Sequence, residues 1–321
     1  MLEKSNIMSG TNFTLGMEFI LLGFSDLPNL QGFLFGVFLV IYMCILIGNG
    51  LIIVITKVHP ALQTPMYFFL GNFSFVEICY TSVTLPRILM NLLTQNQHIS
   101  VVACAVQLRF FLILVVTECL LLTVMAYDRY VAICKPLYYQ VIMNHKFCVQ
   151  LVIGSWITGI PVVIGQTYQI FSLPFCGSNK LNRVFCDMLP VVKLTCGDTF
   201  VNQLSVYADA VLFALVPFLL ILASYVKIIL TILKLSSATG RHKLFSTCSS
   251  HLIVVNLFFG SGFIVYFRPK SNHSEELNKV FSLFYSIAIV TPMVNPMIYS
   301  LRNKDFIEAM RKLFSKCIGK E

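Results

Sequence analysis

Three carboxylates stand inside otherwise apolar stretches of this chain: Glu77, Glu118 and Asp209. A charge in such a setting is costly and marks an ion, proton or ligand contact by default. Asp128 closes the run that holds Glu118 and is followed at once by Arg129 and Tyr130. An arginine at the mouth of a helix bundle can pair with the neighbouring carboxylate and hold the bundle closed; released, it can face a partner protein. Further along, Pro296 removes a backbone hydrogen bond and permits a kink, while Asn295 and Tyr299 beside it can exchange hydrogen-bond partners. Tyr225 and Tyr299 fall near the same end of the bundle as Arg129. This is the chemistry of a switch between two packed states. Bond breaking is not indicated, since no Ser/His or paired-Asp arrangement stands at catalytic spacing. Neither zinc-type Cys/His spacing nor a helix-borne His pair occurs.

The elements that must position these residues follow from composition. Of 321 residues, 57% are hydrophobic and only 12% charged, where a soluble domain carries about 25% charge. Mean hydropathy is +0.81 over the whole length. An ordinary soluble enzyme and a disordered chain are both excluded; the sequence is that of a polytopic membrane protein. Its net charge of +9 therefore bears on orientation in the bilayer, not on nucleic acid. A bilayer core takes roughly 20 apolar residues in helix. Seven segments qualify, at 31–56, 65–93, 101–127, 147–169, 203–233, 244–267 and 279–301. The expected fold is an all-α bundle of seven transmembrane helices. It occupies 31–301, between an outer segment 1–30 and an inner tail 302–321. An odd helix number and no visible repeat disfavour the paired inverted repeats of many transporters.

Orientation follows from the basic residues. With the N-terminus outside, the inner segments hold Lys57, Arg129, Lys135, Lys146, Lys227, Lys234, Arg241, Lys243, Arg302, Lys304, Arg311, Lys312, Lys316 and Lys320. The positive-inside rule favours that topology. Residues 1–27 lack the central apolar block of a secretory signal, so the first membrane helix is expected to serve as its own insertion signal. Asn12-Phe13-Thr14 is a glycosylation sequon of use only on the outer side. The loop 170–202 holds Cys176, Cys186 and Cys196, which this topology places in the oxidising compartment. A second sequon at Asn272 is also outside; a third at Asn72 lies within a span and is a chance match. After the seventh span, Asn303 to Phe314 reads as a basic amphipathic helix on the inner leaflet. Phe306, Met310, Leu313 and Phe314 mark its apolar face.

The motifs carry a family resemblance. Met125-Ala126-Tyr127-Asp128-Arg129-Tyr130-Val131-Ala132-Ile133-Cys134 resembles the signature of odorant receptors, a branch of the rhodopsin-like G-protein-coupled receptors. Gly48-Asn49, the stretch Leu62 to Leu70, Trp156, Ser224-Tyr225, Lys243 to His251 and Pro292 to Asn303 match further family motifs in order. Together they cover about residues 20–315. Gln63, Leu244 and Phe259 depart from the commoner residues at their places.

The resemblance implies a receptor without enzymatic activity, in the plasma membrane of olfactory cilia. Its partners would be a small volatile ligand, a stimulatory olfactory-type heterotrimeric G protein that raises cAMP, and the bilayer. Coupling and switching would fall to Asp128, Arg129, Tyr130, Tyr225, His251, Asn295, Pro296 and Tyr299. Glu77 and Glu118 would share a proton or hold a sodium ion; no other cofactor is implied. Cys104 would bond Cys186, leaving Cys176 to pair with Cys196. The ligand would lie between the outer halves of helices 3, 5, 6 and 7. Counting along the helices gives Phe111, Leu112, Val115 and Val116; Val206, Asp209, Ala210 and Phe213; Phe259, Gly262, Phe263 and Tyr266; and Phe284, Tyr285 and Ala288. This apolar, aromatic lining suits a small hydrophobic ligand. Asp209 is expected to pair internally with Arg109 or Lys270, with a ligand amine as the alternative. A cation channel using the three intramembrane acids is the competing reading, and the few acids and odd helix count weigh against it.

Overall fold

The computed structural model describes residues 18–23, 30–176, 179–181, 183–196, 199–234, 238–266, 292–295, 298 and 304–317. Apolar runs bounded by caps and prolines become its helices. The first, α1, spans Gln31–Val58. Next, α2 (Pro65–Thr94) opens on a proline, whose missing N–H falls where a helix has no acceptor for it, and closes on Gln95 in the left-handed region at φ 56°. Ser100 caps α3 (Val101–Cys134), its Oγ accepting from the Ala103 N–H at 3.2 Å. After the short α4 (Tyr139–Ile142), Asn144 caps α5 (His145–Phe171) in the same way, accepting from the Phe147 N–H at 2.9 Å. A single short helix, α6 (Met188–Val192), lies in the outer loop. Then come α7 (Phe200–Ala210), α8 (Val216–Leu233), α9 (Ala238–Tyr266) and α10 (Lys304–Cys317).

Among the described residues, five helical stretches are long and apolar enough to cross a membrane: Gln31–Val58, Pro65–Thr94, Val101–Cys134, His145–Phe171 and Phe200–Leu233. A shorter apolar stretch, Cys248–Phe263, lies within α9. Of the expected seventh segment only 292–295 and 298 are described, and these are helical. Two helices overrun their expected ends. α3 continues through Asp128, Arg129 and Tyr130 to Cys134, and α9 begins at Ala238. Hydropathy marks where the bilayer stops, whereas backbone hydrogen bonding continues into the inner aqueous layer.

The fifth expected segment is not a uniform helix. Between α7 and α8 the residues Val211–Leu215 are π-helical, and the Val216 N–H bonds back to the Val211 carbonyl. Pro217 follows directly. It has no N–H to offer the Phe213 carbonyl and its ring crowds that carbonyl, so a widened turn relieves the clash. One added residue per turn rotates α7 relative to the face that regular spacing assigns.

α3 is the hub, packing against α2, α5, α8 and α9, while α1 packs on α2 and receives α10. Buried Ile45, Phe69, Phe73, Leu121 and Ile228 belong to the main core. Outward faces stay apolar, as in Val40, Ile157 and Leu219, because their solvent is lipid. At the outer end part of the expected N-terminal segment is ordered. Glu18–Leu21 forms β1, the centre of a three-stranded sheet. It pairs antiparallel with β2 (His98–Ser100) and parallel with β3 (Lys180–Leu181). Phe19 and Leu21 point into an outer core with Ile99, Leu108 and Ile170, while Glu18 faces out and meets His98 Nδ1 at 3.1 Å. Gly23 turns the chain away at φ +32°, and a Cβ there would meet Val184 Cγ1 at 3.1 Å. Asn12 and Asn272 lie outside the described residues.

Candidate ligand-binding and coupling sites

Two disulfides fix the outer rim. Cys104, in the first turn of α3, bonds Cys186, with Cα atoms 5.6 Å apart. Cys176 bonds Cys196, with Cα atoms 5.2 Å apart. The first ties the loop after α5 to the hub helix, so Phe185 is carried over the bundle and its ring lies 4.9 Å from that of Phe111.

Below that rim lie the residues counted into the ligand space. Phe111 is buried between Phe185 and Tyr80, the latter ring 5.4 Å away. Leu112 packs against all three apolar clusters, and Val115 against the main one. Val116 turns toward α5, where Gly159 makes room: a Cβ on that glycine would meet Val116 Cγ1 at 2.6 Å. Val116, Val163 and buried Phe213 form one cluster in this seam. From α9, Phe259 and Phe263 set their rings 5.2 and 5.8 Å from Phe218 of α8. Phe218 was not foreseen, although its place directly after Pro217 could have marked it. Gly262 is half-buried; the side chain of Tyr266 and all of Phe284, Tyr285 and Ala288 lie outside the description. Ala210, at the end of α7 just before the π-helical turn, is exposed.

Of the two partners expected for Asp209, Arg109 is engaged elsewhere. Arg109 donates its Nε to Thr167 Oγ1 at 3.1 Å and forms no ion pair with Asp209. Ion pairs among the described residues are His98–Glu18, Arg129–Asp128, Arg183–Asp187 and Lys312–Glu308. Thr167 reaches Arg109 first, being on the helix that packs beside that face of α3. Lys270 lies outside the described residues.

At mid-bundle, Glu77 accepts a hydrogen bond from the Asn295 amide. Asn49 donates its Nδ2 to the Pro292 carbonyl at 3.3 Å, and Glu118 lies within electrostatic reach of Glu77. All four side chains are buried. Among the described residues, Asn49 Oδ1, Glu77 Oε2, Glu118 Oε1 and Asn295 Oδ1 have no hydrogen-bond partner. Helices 1, 2, 3 and 7 thus converge on a centre with more acceptors than donors.

At the inner end, fully buried Asp128 uses both oxygens. Its Oδ2 accepts from Arg129, with Nε at 3.0 Å and a closer contact from Nη2, and its Oδ1 accepts from the Tyr139 hydroxyl at 2.8 Å. Burial, with the Asp128 carboxylate beside it, holds the Tyr139 hydroxyl above the ordinary phenol range. Tyr225 bonds its hydroxyl to His251 Nδ1 at 2.8 Å, with the two rings stacked 5.6 Å apart. Tyr130 lies under Lys227, whose Nζ is 5.7 Å from the ring centroid. Cys134 Sγ meets Thr231 Oγ1 at 3.3 Å, a further tie between α3 and α8. Pro296 and Tyr299 lie outside the described residues. On the inner tail, Phe306 and Ala309 of α10 are buried while Glu308 and Lys312 pair at 2.7 Å on the open face. The hydrogen bond and charge of Lys312 hold the Glu308 carboxyl below its ordinary range.

A comparison with known families matches residues 38–317 to the family described as "Olfactory receptor". The chain is similar to Olfactory receptor 10AG1 of Homo sapiens, 61% identical over 302 residues, which covers 94% of this chain and 100% of the relative. It is also 50% identical to Olfactory receptor 10A7 of Homo sapiens, over 95% of this chain and 96% of that protein. Olfactory receptor 10A5 of Homo sapiens is 51% identical, over 96% of this chain and 97% of the relative.

Proposed function

The chain belongs to the olfactory receptor family, a seven-transmembrane receptor and not an enzyme, and on that premise we propose how it signals. A small, largely hydrophobic volatile enters between the outer halves of helices 3, 5, 6 and 7. There it packs against the Phe218, Phe259 and Phe263 rings and Leu112 of the hub helix. Binding favours a packing in which the inner ends of α8 and α9 part from α3. Arg129 is then released toward a heterotrimeric G protein of the stimulatory olfactory type, and cAMP rises. The receptor acts at the plasma membrane of olfactory cilia, with Asn12 glycosylated on the outer side.

The observation that carries this reading is the inner lock. Arg129, Asp128 and Tyr139 form one connected set whose residues come from α3 and α4, and Tyr225 with His251 joins α8 to α9 next to it. The polar centre supplies a second bias. Its surplus acceptors suit a shared proton or a sodium ion, which Glu77, Glu118, Asn49 and Asn295 would hold. Either supplies positive charge that steadies the closed packing.

The test is cAMP output in cells that co-express the olfactory stimulatory G protein, across a panel of volatiles. Surface-expressed receptor should respond to at least one, and Arg129→Ala should abolish that response at equal surface level. A ligand response that persists in Arg129→Ala, or in cells lacking the stimulatory α subunit, would overturn the coupling proposed.

A further inference from the structure

Asp209 has a position that the apolar lining does not explain. It lies roughly 14 Å along α7 from Phe200, at about 1.5 Å of rise per residue. Val206, three residues before it within the regular part of α7, shares its helix face. Val206 packs against the outer cluster, and Leu112 of α3 packs against the same cluster. Asp209 is therefore held, half-buried, on the face of α7 that carries Val206 toward that cluster.

Several polar groups of α3, α5 and α7 are engaged elsewhere. Ser205, one turn above, donates to the Asn202 carbonyl at 2.8 Å, and Asn202 Oδ1 accepts from Gln169 at 2.7 Å. Arg109 is bonded to Thr167. Among the described residues, no hydrogen bond or ion pair reaches Asp209. A carboxylate inside a span calls for a partner charge, and none of these supplies it. The aromatic cluster of Phe218, Phe259 and Phe263 meanwhile offers apolar surface to a ligand body.

We infer that the ligand carries a basic nitrogen and that Asp209 is its counter-ion. This rests on the receptor reading above and adds the ligand's chemical class: a small amine with an apolar skeleton, bound as the ammonium.

The experiment compares cyclohexylamine and 2-phenylethylamine with cyclohexanol and 2-phenylethanol, which keep each skeleton and remove the charge. The readout is cAMP in cells expressing the full chain, the wild type beside Asp209→Asn, Asp209→Glu and Lys270→Gln at matched surface levels. An amine should be the more potent member of a pair. Asp209→Asn should raise its half-maximal concentration roughly thirtyfold or more, the scale of losing one partner of a desolvated charge pair. Asp209→Glu should retain part of the response, and Lys270→Gln should leave amine potency unchanged. Should Asp209→Asn fail to reach the surface, the wild-type comparison decides: equal or greater potency of the alcohols overturns the inference. An amine response untouched by Asp209→Asn also overturns it, while leaving the receptor reading intact. Silence toward every compound and every other volatile, with forskolin still raising cAMP, overturns both.

Discussion

Tyr139→Phe should raise basal signalling. The substitution removes one oxygen, the donor to Asp128 Oδ1 at 2.8 Å, and leaves the ring in place. Asp128 is fully buried, so Oδ1 then lacks a partner out of reach of bulk water. A hydrogen bond to a charged group contributes about 1.5–3 kcal/mol. Tyr139 is itself only half-buried, which favours the lower end, about 1.5 kcal/mol. If the bond is made in the closed packing and lost in the open one, the open-to-closed ratio rises about tenfold. A receptor that is about 1% open would become about 9% open. The assay is ligand-free cAMP in cells co-expressing the stimulatory olfactory G protein, normalised to surface receptor. An unchanged or lowered basal level at equal surface density would refute the assignment of Tyr139 to the lock. Proton linkage adds a control. A phenol held above its ordinary range contributes its bond below its unfolded pKa and loses it only as pH rises through the raised value. The Tyr139 bond should therefore persist between about pH 6 and 8, at least about two units below an ordinary phenol pKa of about 10, and the two receptors should differ by a constant factor there.

Three further outcomes follow from packing. Gly159→Ala forces a methyl to within 2.6 Å of Val116 Cγ1, where carbon atoms prefer about 3.5–4.0 Å. Overpacking costs about 1–3 kcal/mol against about 1 kcal/mol gained in helix propensity, so the melting temperature of purified receptor should fall, and Val116→Ala should restore it. Cys186→Ser opens a link spanning 82 residues, worth about 4 kcal/mol by loop entropy; surface display and thermal stability should both drop, and wild-type behaviour in that variant would deny the bond its structural role. Phe306→Ala removes the buried anchor of α10 at a cost of about 3 kcal/mol, so protease cleavage of the tail in membranes should accelerate, whereas Lys312→Gln on the exposed face should leave it unchanged.

What could be seen in the sequence was what depends on local composition. The spans announce themselves because about 20 apolar residues have no other stable home, and the tail helix shows its apolar face through the spacing of Phe306 and Met310. What escaped depends on partners distant in the chain. β1 is a strand only because residues 98–100 and 180–181 lie on either side of it; Glu18 to Leu21 alone gives no such signal. Tyr139 carries no signal of its own in the sequence; it meets Asp128 because the turn after α3 brings it back. The π-helical turn in the fifth span escaped for a different reason. Its cause, Pro217, was in plain view, but a proline does not say whether the chain will kink, break or widen by one residue.

The half-satisfied polar centre bears on why this molecule can switch at all. A fully satisfied buried network would lock one packing, and an apolar one would have no reason to prefer either. Here the oxygens without partners are all acceptors: two amide and two carboxylate oxygens, drawn from Asn49, Glu77, Glu118 and Asn295. What the centre lacks is positive charge, so proton and sodium ion would meet the same need. The cost of each packing then depends on how well it keeps those acceptors around that charge. Asn295 stands next to Pro296 in the sequence and bonds Glu77, so a shift of Asn295 changes what surrounds the Glu77 carboxylate. On the reading proposed above, the energy separating the two packings would be tuned at Glu77, where the balance is left incomplete.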